Sequence, residues 1–353
     1  MYRAKSTLRV AYVTLYAENW RLPSITRGDE PIPEYLYFQN KSRFDVTVES
    51  LAGTDAETPA KRYALLHRLK TDGCELAANL DLSGYDCVVA AAESVGDVLA
   101  GKVTKPLLVC CHGFPSQGLL RKKLFYGEKP IHFLFLSRSL RKNMCALHGI
   151  PHERSHLLGH SVDTEFFKPD DQQSPDDGLV VAAGTGNRDY PTLVQACSEL
   201  PLRLVIAADS AWFPHPHGLS MLDLPPNIRV GSARSYSILR ELYRSALFVV
   251  TPLQNAPNAC GYSVIGEAMA MGKAVIATRT QAPSDFITQM HSGIYVLPNS
   301  HDALRAAIKY LLDDPLRAKE MGRQARERFS QFFGHTAFVR RLDEIILEVV
   351  TRL

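Results

Sequence analysis

The chain has 353 residues, enough for two domains that each bury their own core. A content of 46% hydrophobic and 22% charged residues is that of an ordinary globular protein, and a formal charge of +3 excludes a generally basic nucleic-acid surface. Seven cysteines, odd in number and without CxxC spacing, argue against a disulfide frame or zinc ribbon and for buried thiols in a reducing compartment.

In chain order, the first element is Leu8-Arg-Val-Ala-Tyr-Val-Thr-Leu15, behind a few basic residues. It has the outline of a signal peptide, but Arg9, the β-branched content and the lack of a small-residue cleavage site make it a first strand. Apolar, β-rich runs follow at Phe44–Glu49, Tyr85–Ala91, Leu107–Cys111 and Ile131–Leu136. A second series lies at Gly178–Ala183, Leu202–Ala207, Ile228–Val230, Ala246–Thr251, Ala274–Thr278 and Gly293–Leu297. Runs that are apolar on both faces and alternate with helical patterns predict an α/β protein with parallel sheets covered on both sides. The polar, turn-rich stretch Lys168–Gly178 is the linker candidate. The expected organisation is a first Rossmann-like domain over 1–165, a linker over 166–177, a second Rossmann-like domain over 178–334 and a last helix over 335–353. Two such doubly wound sheets predict a ligand cleft at the carboxyl ends of their strands. From His301 onward the pattern is helical. Ala303, Leu304, Ala307, Ile308, Leu311 and Leu312 form one apolar face, and Phe338, Leu342, Ile345, Ile346 and Val349 another. No stretch approaches the ~18–20 apolar residues of a membrane span, so a cytoplasmic location is expected.

Two stretches suit a nucleotide. In Gly261-Tyr-Ser-Val-Ile-Gly-Glu267-Ala-Met-Ala-Met-Gly272 a helix is expected from about Ser263 to Gly272, feeding the strand Ala274–Thr278. Its free N–H groups attract phosphate, and Glu267, with no basic partner four residues to either side, can accept from ribose hydroxyls. The alternative is that Glu267 complements the helix dipole, worth roughly 0.3–1 kcal/mol. In Val180-Val-Ala-Ala-Gly184-Thr-Gly186-Asn-Arg188-Asp-Tyr-Pro191 a strand ends, glycines turn the chain, and Arg188 is expected to project before a helix begins near Pro191. A permanently charged guanidinium there suits a diphosphate. The alternative is a surface Arg188–Asp189 pair, and the full G-x-G-x-x-G fingerprint is absent because Asp189 holds the last glycine position.

Three phrases in order resemble the family 4 glycosyltransferases: Leu157-Leu-Gly-His-Ser-Val-Asp-Thr-Glu-Phe-Phe-Lys-Pro169, the Gly184–Leu193 turn, and Gly261 to Thr278. The likeness is good from about residue 105 onward and poor before it. It extends to Leu107-Leu-Val-Cys-Cys-His112-Gly-Phe-Pro115, similar to the strand that presents an active-site histidine, and to Phe133-Leu-Phe-Leu-Ser137-Arg-Ser-Leu140. The resemblance implies the two-domain GT-B fold, a last helix crossing back to the first domain, and retaining transfer from a UDP- or GDP-linked sugar. It implies catalytic roles for His112, Arg188 and Glu267, and donor binding by Gly184, Thr185, Gly186, Asn258, Gly261, Tyr262, Ser263 and Val264. Neither a cofactor nor a metal is expected, and the chain has no Asp-x-Asp pair to hold one. The acceptor would be a sugar or lipid-linked hydroxyl, with peripheral membrane contact through the first domain and no nucleic-acid partner.

The chain also departs from the family pattern. Ala259 stands where a Glu that contacts the transferred sugar is usual, with Asn258 beside it, and Thr185 replaces a phosphate-binding Arg. The Gly-rich loop after the first strand is replaced by Tyr16-Ala-Glu-Asn-Trp-Arg-Leu-Pro-Ser-Ile-Thr-Arg-Gly28. Two other readings therefore stay open: a nucleotide-sugar epimerase of the same fold, and a binding subunit that has lost activity. Among lesser features, Arg121-Lys-Lys123 with Phe125, Tyr126, Arg138, Arg141 and Lys142 reads as a membrane-facing basic surface or a solvated helix face. His148, His152, His156 and His160 recur every four residues, yet Gly149-Ile-Pro151 breaks their common face. His215-Pro-His217 reads as a surface loop, and Trp20, Arg21 and Arg27 as acceptor contacts or loop packing.

Overall fold

The computed structural model describes residues 7–113, 131–170, 178–209, 219, 223–233 and 235–352. The strands are β1 (Arg9–Thr14), β2 (Asp45–Ser50), β3 (Cys87–Ala90), β4 (Leu107–Cys111), β5 (Ile131–Phe135), β6 (Ser155–Leu157), β7 (Leu179–Ala183), β8 (Arg203–Ala207), β9 (Ile228–Gly231), β10 (Phe248–Thr251), β11 (Ala274–Thr278) and β12 (Ile294–Val296). The helices are α1 (Leu22–Thr26), α2 (Glu34–Lys41), α3 (Pro59–Leu76), α4 (Glu93–Leu99), α5 (Arg138–His148), α6 (Tyr190–Cys197), α7 (Tyr236–Ser245), α8 (Tyr262–Ala270), α9 (His301–Leu312), α10 (Pro315–Phe332) and α11 (His335–Thr351). No described helix is long and apolar enough to cross a membrane.

The chain forms two compact units. The first comprises Met1–Leu22, Pro33–Gly159 and His335–Leu353, the second Pro23–Ile32 and His160–Gly334. The chain thus passes from one unit to the other at Gly159–His160, and the short segment Pro23–Ile32 goes with the second. Buried Asp163 holds that segment, accepting from Ile32 N–H at 2.9 Å as well as from Glu165 N–H and Phe166 N–H. Ser237 Oγ adds a bond to Asp29 O at 2.9 Å.

The first sheet runs β2-β1-β3-β4-β5-β6, all parallel, with Val10 between Val46 and Cys87. Every residue of β3 and β4 is buried, as expected of strands covered on both faces. The core joins Val10, Tyr12 and Phe38 to Phe338, Leu342, Ile346 and Val349 of α11. The apolar face of α11 is therefore used inside the first unit. Leu342 and Ile346 are fully buried, which is worth ~1.5–3 kcal/mol for each side chain. Asp343 fixes the helix from its polar side by accepting from Ser42 Oγ at 2.6 Å.

The second sheet runs β12-β11-β10-β7-β8-β9, again all parallel. Strand order reverses between β7 and β10, the dinucleotide-fold arrangement whose switch point binds ligands outside the carboxyl ends. Arg326 on α10 clamps the surroundings of α8, its Nη1 donating to Ala270 O at 2.8 Å and to Thr164 O and Phe167 O at 3.0 Å each. The described cysteines are all free thiols, and burial pushes those of Cys87, Cys110 and Cys197 up to about 12.

Candidate functional site

The turns after β7 and β10 meet at the switch point of the second unit. β7 and β10 are neighbours, and the turns that follow are tied by backbone: Arg188 bridges Leu253, Asp189 N–H donates to Pro252 O at 3.2 Å, and Gln254 N–H to Asn187 O at 2.9 Å. Asn187 Nδ2 also reaches Asn258 Oδ1 at 3.4 Å, so Asn258, itself buried, belongs to the same construction. Ala259 beside it is half-buried and offers no polar side chain.

Arg188 does not project. Its side chain folds back over the turn and is only 9% exposed, Nε donating to Ala183 O at 2.8 Å and Nη1 to Gly186 O at 2.7 Å. Gly184 makes this possible: at φ +93° it occupies a conformation L side chains avoid, and a Cβ there would collide with Arg188 Nη2. The expected alternative, a surface pair with Asp189, is not formed either. Asp189 instead caps α6 by accepting from Thr192 N–H at 3.3 Å. Thr185 is half-buried and Gly186 exposed at the apex of the turn.

On the β10 side, Gly261 begins α8 at φ +78°, and a Cβ there would press on Leu253 and Thr251 at 3.0–3.1 Å. The helix start has no side-chain cap, and its first internal bond is Ile265 N–H to Gly261 O at 3.0 Å. The first-turn N–H groups of Tyr262, Ser263 and Val264 therefore lie at an uncapped positive helix end. Tyr262 is anchored by its hydroxyl on Ala282 O at 2.9 Å, Val264 is buried and Ser263 exposed.

Glu267 lies in the second turn of α8, 7% exposed, accepting from Tyr243 Oη at 3.0 Å. Burial pushes its carboxyl from 4.5 up to about 7, against the Tyr243 hydrogen bond and the Arg188 charge, which both pull it down. A carboxylate placed this deep answers to Tyr243 and Arg188 more than to the dipole of its own helix.

In the first unit His112 follows β4, with Nε2 3.2 Å from Ala91 O. The next N–H, that of Gly113, donates to Glu93 Oε1 at 2.7 Å. Glu93 opens α4 and is 4% exposed. Burial raises its carboxyl above the usual range, while the His112 charge and the N–H groups of Gly113 and His112 oppose that rise.

The remaining candidates separate. His148 is buried in α5, His132 Nδ1 lies 3.0 Å from His156 Nε2, and His160 contacts Ser263 at the start of α8. Arg21 is buried against Glu18 at 2.7 Å, Glu18 also accepts from Tyr35 Oη at 2.6 Å, and Arg62 lies over the Trp20 ring at 5.5 Å, so this loop packs against α2 and α3. Arg27 pairs with Asp29 at the surface of the second unit. Arg121, Lys122, Lys123, Phe125, Tyr126, His215 and His217 lie outside the described residues, as does most of the expected linker. Reading the sequence missed Tyr243 and Glu93, and named His160 only in the Leu157–Pro169 phrase and the four-residue histidine series. Only Glu93 carried a signal, an acid directly after the apolar Cys87–Ala92 run with no base beside it.

Residues 162–328, almost the whole of the second unit, match the family model of the glycosyl transferases group 1. An uncharacterized glycosyltransferase of Methanocaldococcus jannaschii is 21% identical over 68% of this chain and 68% of its own. Among solved structures, a glycosyltransferase from Rickettsia africae superposes with a TM-score of 0.70 at 17% identity, covering 98% of this chain and 100% of that one. HepE from Anabaena in complex with UDP-glucose gives 0.65 at 15% identity over 96% and 99%. These findings support a glycosyltransferase. At such identities the solved structures show the fold, two Rossmann-like domains of the GT-B type. The group 1 match adds that the second unit, with the Arg188 turn and α8, is the segment this glycosyltransferase fold shares in sequence.

Proposed function

We propose that the protein is a retaining glycosyltransferase of family 4 that moves a sugar from a UDP- or GDP-linked donor to a hydroxyl on a glycan, lipid-linked or small-molecule acceptor, without a metal. The observation that carries this reading is the joined pair of turns at the β7/β10 switch point, with Arg188, the uncapped start of α8 and buried Glu267 on adjoining segments. Breaking a sugar–phosphate bond leaves negative charge on the departing diphosphate. A guanidinium already fixed by two carbonyls and the first-turn N–H groups of α8 need no reorganisation to meet it. Glu267, once ionised, accepts from the ribose hydroxyls. HepE, solved with UDP-glucose, supports a nucleotide-sugar donor by analogy of fold. In this reading His112, held by Ala91 and followed by the Glu93-bound Gly113, supplies the contact to the transferred sugar. The setting implied is polysaccharide biosynthesis in the cytoplasm, at the inner face of the membrane.

A second reading, a nucleotide-sugar-binding subunit without turnover, is favoured by Ala259 and by the two Arg188 donors spent on backbone. Donor hydrolysis measured with and without acceptors decides the matter. Nucleotide release that rises with an acceptor is expected. Binding without release would leave the subunit reading standing, and an epimerised free sugar made without acceptor would make the protein an epimerase.

A further inference from the structure

We infer that Tyr243 is a positioning residue for the ribose contact: its hydroxyl fills one oxygen of the Glu267 carboxyl, Oε2, and leaves the other, Oε1, to accept from the sugar. This deepens the nucleotide-sugar reading above and rests on it. Tyr243 belongs to α7 and is fully buried, its ring tilted against that of Phe167 at 6.3 Å between centroids. Among the described residues, Glu267 Oε2 at 3.0 Å is the only acceptor its hydroxyl has. Burial and the adjacent carboxyl push the phenol well above its ordinary range, so the hydroxyl keeps its proton and has to donate it. A buried donor without its acceptor costs about 1–3 kcal/mol, and that penalty holds the pair together.

The consequence falls on Glu267. With Oε2 occupied, Oε1 has no hydrogen-bond partner among the described residues, and its two lone pairs can accept from one or both ribose hydroxyls. Oε1 is also where a proton sits when the carboxyl is neutral, because the phenol then keeps the carbonyl-type oxygen as its acceptor. Proton and ribose hydroxyl thus compete for one atom, and the ligand gains its contact only as far as the carboxyl is ionised. Two groups favour ionisation: the Tyr243 hydroxyl, and the charge of Arg188, whose Nε and Nη1 are held by Ala183 O and Gly186 O. Burial opposes them and leaves the carboxyl at about 7. Other charged or titratable groups around α8 are engaged elsewhere. Arg326 of α10 donates to Ala270 O at the far end of the helix, Lys273 donates to Arg244 O and Ala246 O, and His160 faces Ser263. Tyr243 is therefore the group that both selects the accepting oxygen and keeps it an acceptor near neutral pH.

Tyr243→Phe keeps the buried ring and removes the hydroxyl. Calorimetric titration of UDP, GDP and ADP at pH 7 and pH 9, each beside its 2′,3′-dideoxy analogue, reads the ribose contribution. For whichever diphosphate the wild type binds, Tyr243→Phe is expected to weaken affinity about tenfold at pH 7, as loss of one hydrogen bond to a charged group would. The deficit should shrink at pH 9, where the carboxyl is ionised without help from the phenol. The dideoxy analogue should bind variant and wild type alike at both pH values. Unchanged affinity for the ribonucleotide at pH 7 overturns this inference alone. A loss shared by the dideoxy analogue, or one that stays the same at pH 9, also overturns it and assigns Tyr243 to packing. A wild type that binds none of the three diphosphates removes the nucleotide reading and this inference with it.

Discussion

The turns that carry Arg188 and His112, at the carboxyl ends of the two sheets, are held by different means. In the second unit, two turns from neighbouring strands are tied main chain to main chain, through Arg188 and Leu253, Asp189 and Pro252, and Asn187 and Gln254. In the first unit the turns after β1 and β2 are likewise tied by backbone, Ala17 N–H donating to Thr54 O at 2.9 Å beside the Ala17–Asp55 bridge, whereas the His112–Gly113 turn is held, among the described residues, by one carboxylate, Glu93, and one carbonyl, that of Ala91. A ladder of backbone bonds depends little on side-chain identity, so positions such as Thr185 and Ala259 can change without loss of the frame. A side-chain strut fails with its one residue. The Arg188 turn is accordingly written into the backbone path, and the described His112–Gly113 turn into particular side chains.

The largest effect should come where a side chain enters the backbone frame. Arg188→Ala removes both the donors to Ala183 O and Gly186 O and the charge proposed to meet the leaving diphosphate. Turnover should fall by about 10²-fold or more, the usual consequence of losing one preorganised donor to developing charge. Arg188→Lys should recover only a small part, because an ammonium cannot hold two carbonyls in the fixed geometry of a guanidinium fork. Initial rates at saturating donor measure both variants. Wild-type turnover in Arg188→Ala would take this residue out of the reaction and leave it a turn-shaping role.

Most of the fold was legible because its strands are buried on both faces and read as uninterrupted apolar runs. β6 was not: three residues, Ser155–Leu157, are too few to show a period, and they form a strand only because β5 lies beside them. The stripe Phe338, Leu342, Ile345, Ile346 and Val349 was visible at helical spacing and is the face that α11 buries. Of the candidate site, the glycine turns and Glu267 could be picked out, because Gly184 and Gly261 punctuate strand–helix junctions. The direction of Arg188 could not, since it follows from the missing Cβ at Gly184 and two carbonyls in the same turn. Tyr243 reaches Glu267 from another helix, 24 residues upstream, and nothing in its own neighbourhood marks it.

A smaller effect, opposite in sign for binding and stability, is expected at Glu267. Its carboxyl is raised from 4.5 to about 7 by burial, so the folded protein holds a proton that the unfolded chain releases at lower pH. Stability from this group is full below pH 4.5 and is lost as pH rises to about 7, a change on the order of 3 kcal/mol. Glu267→Gln removes that loss, so its melting temperature should exceed that of the wild type at pH 8 and converge with it at pH 4.5. Nucleotide affinity should move the other way, about tenfold weaker in the variant at pH 8, because the proposed ribose acceptor is the ionised carboxylate. Thermal melts and calorimetry at the two pH values test both halves. If the variant binds nucleotide as well as the wild type does, Glu267 is a buried acid with no part in ribose recognition.

The smallest effect tests the strut of the first unit. Glu93→Ala leaves the Gly113 N–H without its acceptor and should cost about 1–3 kcal/mol at acid pH, and less at pH 8, where the wild type has lost stability from its raised carboxyl. Glu93→Gln keeps an amide oxygen in reach of that N–H and removes a carboxyl that burial raises above its ordinary range. Stability from the raised group is present at acid pH and lost as pH climbs, so the Gln variant should match the wild type in acid and equal or exceed it at pH 8. Melting curves of the three proteins at acid pH and pH 8 distinguish the roles of hydrogen bond and charge. If Ala and Gln behave alike, the carboxylate oxygen is not what holds the His112–Gly113 turn. The contrast between the backbone-tied Arg188 turn and the side-chain-held His112 turn would then rest, among the described contacts, on the His112 bond to the Ala91 carbonyl.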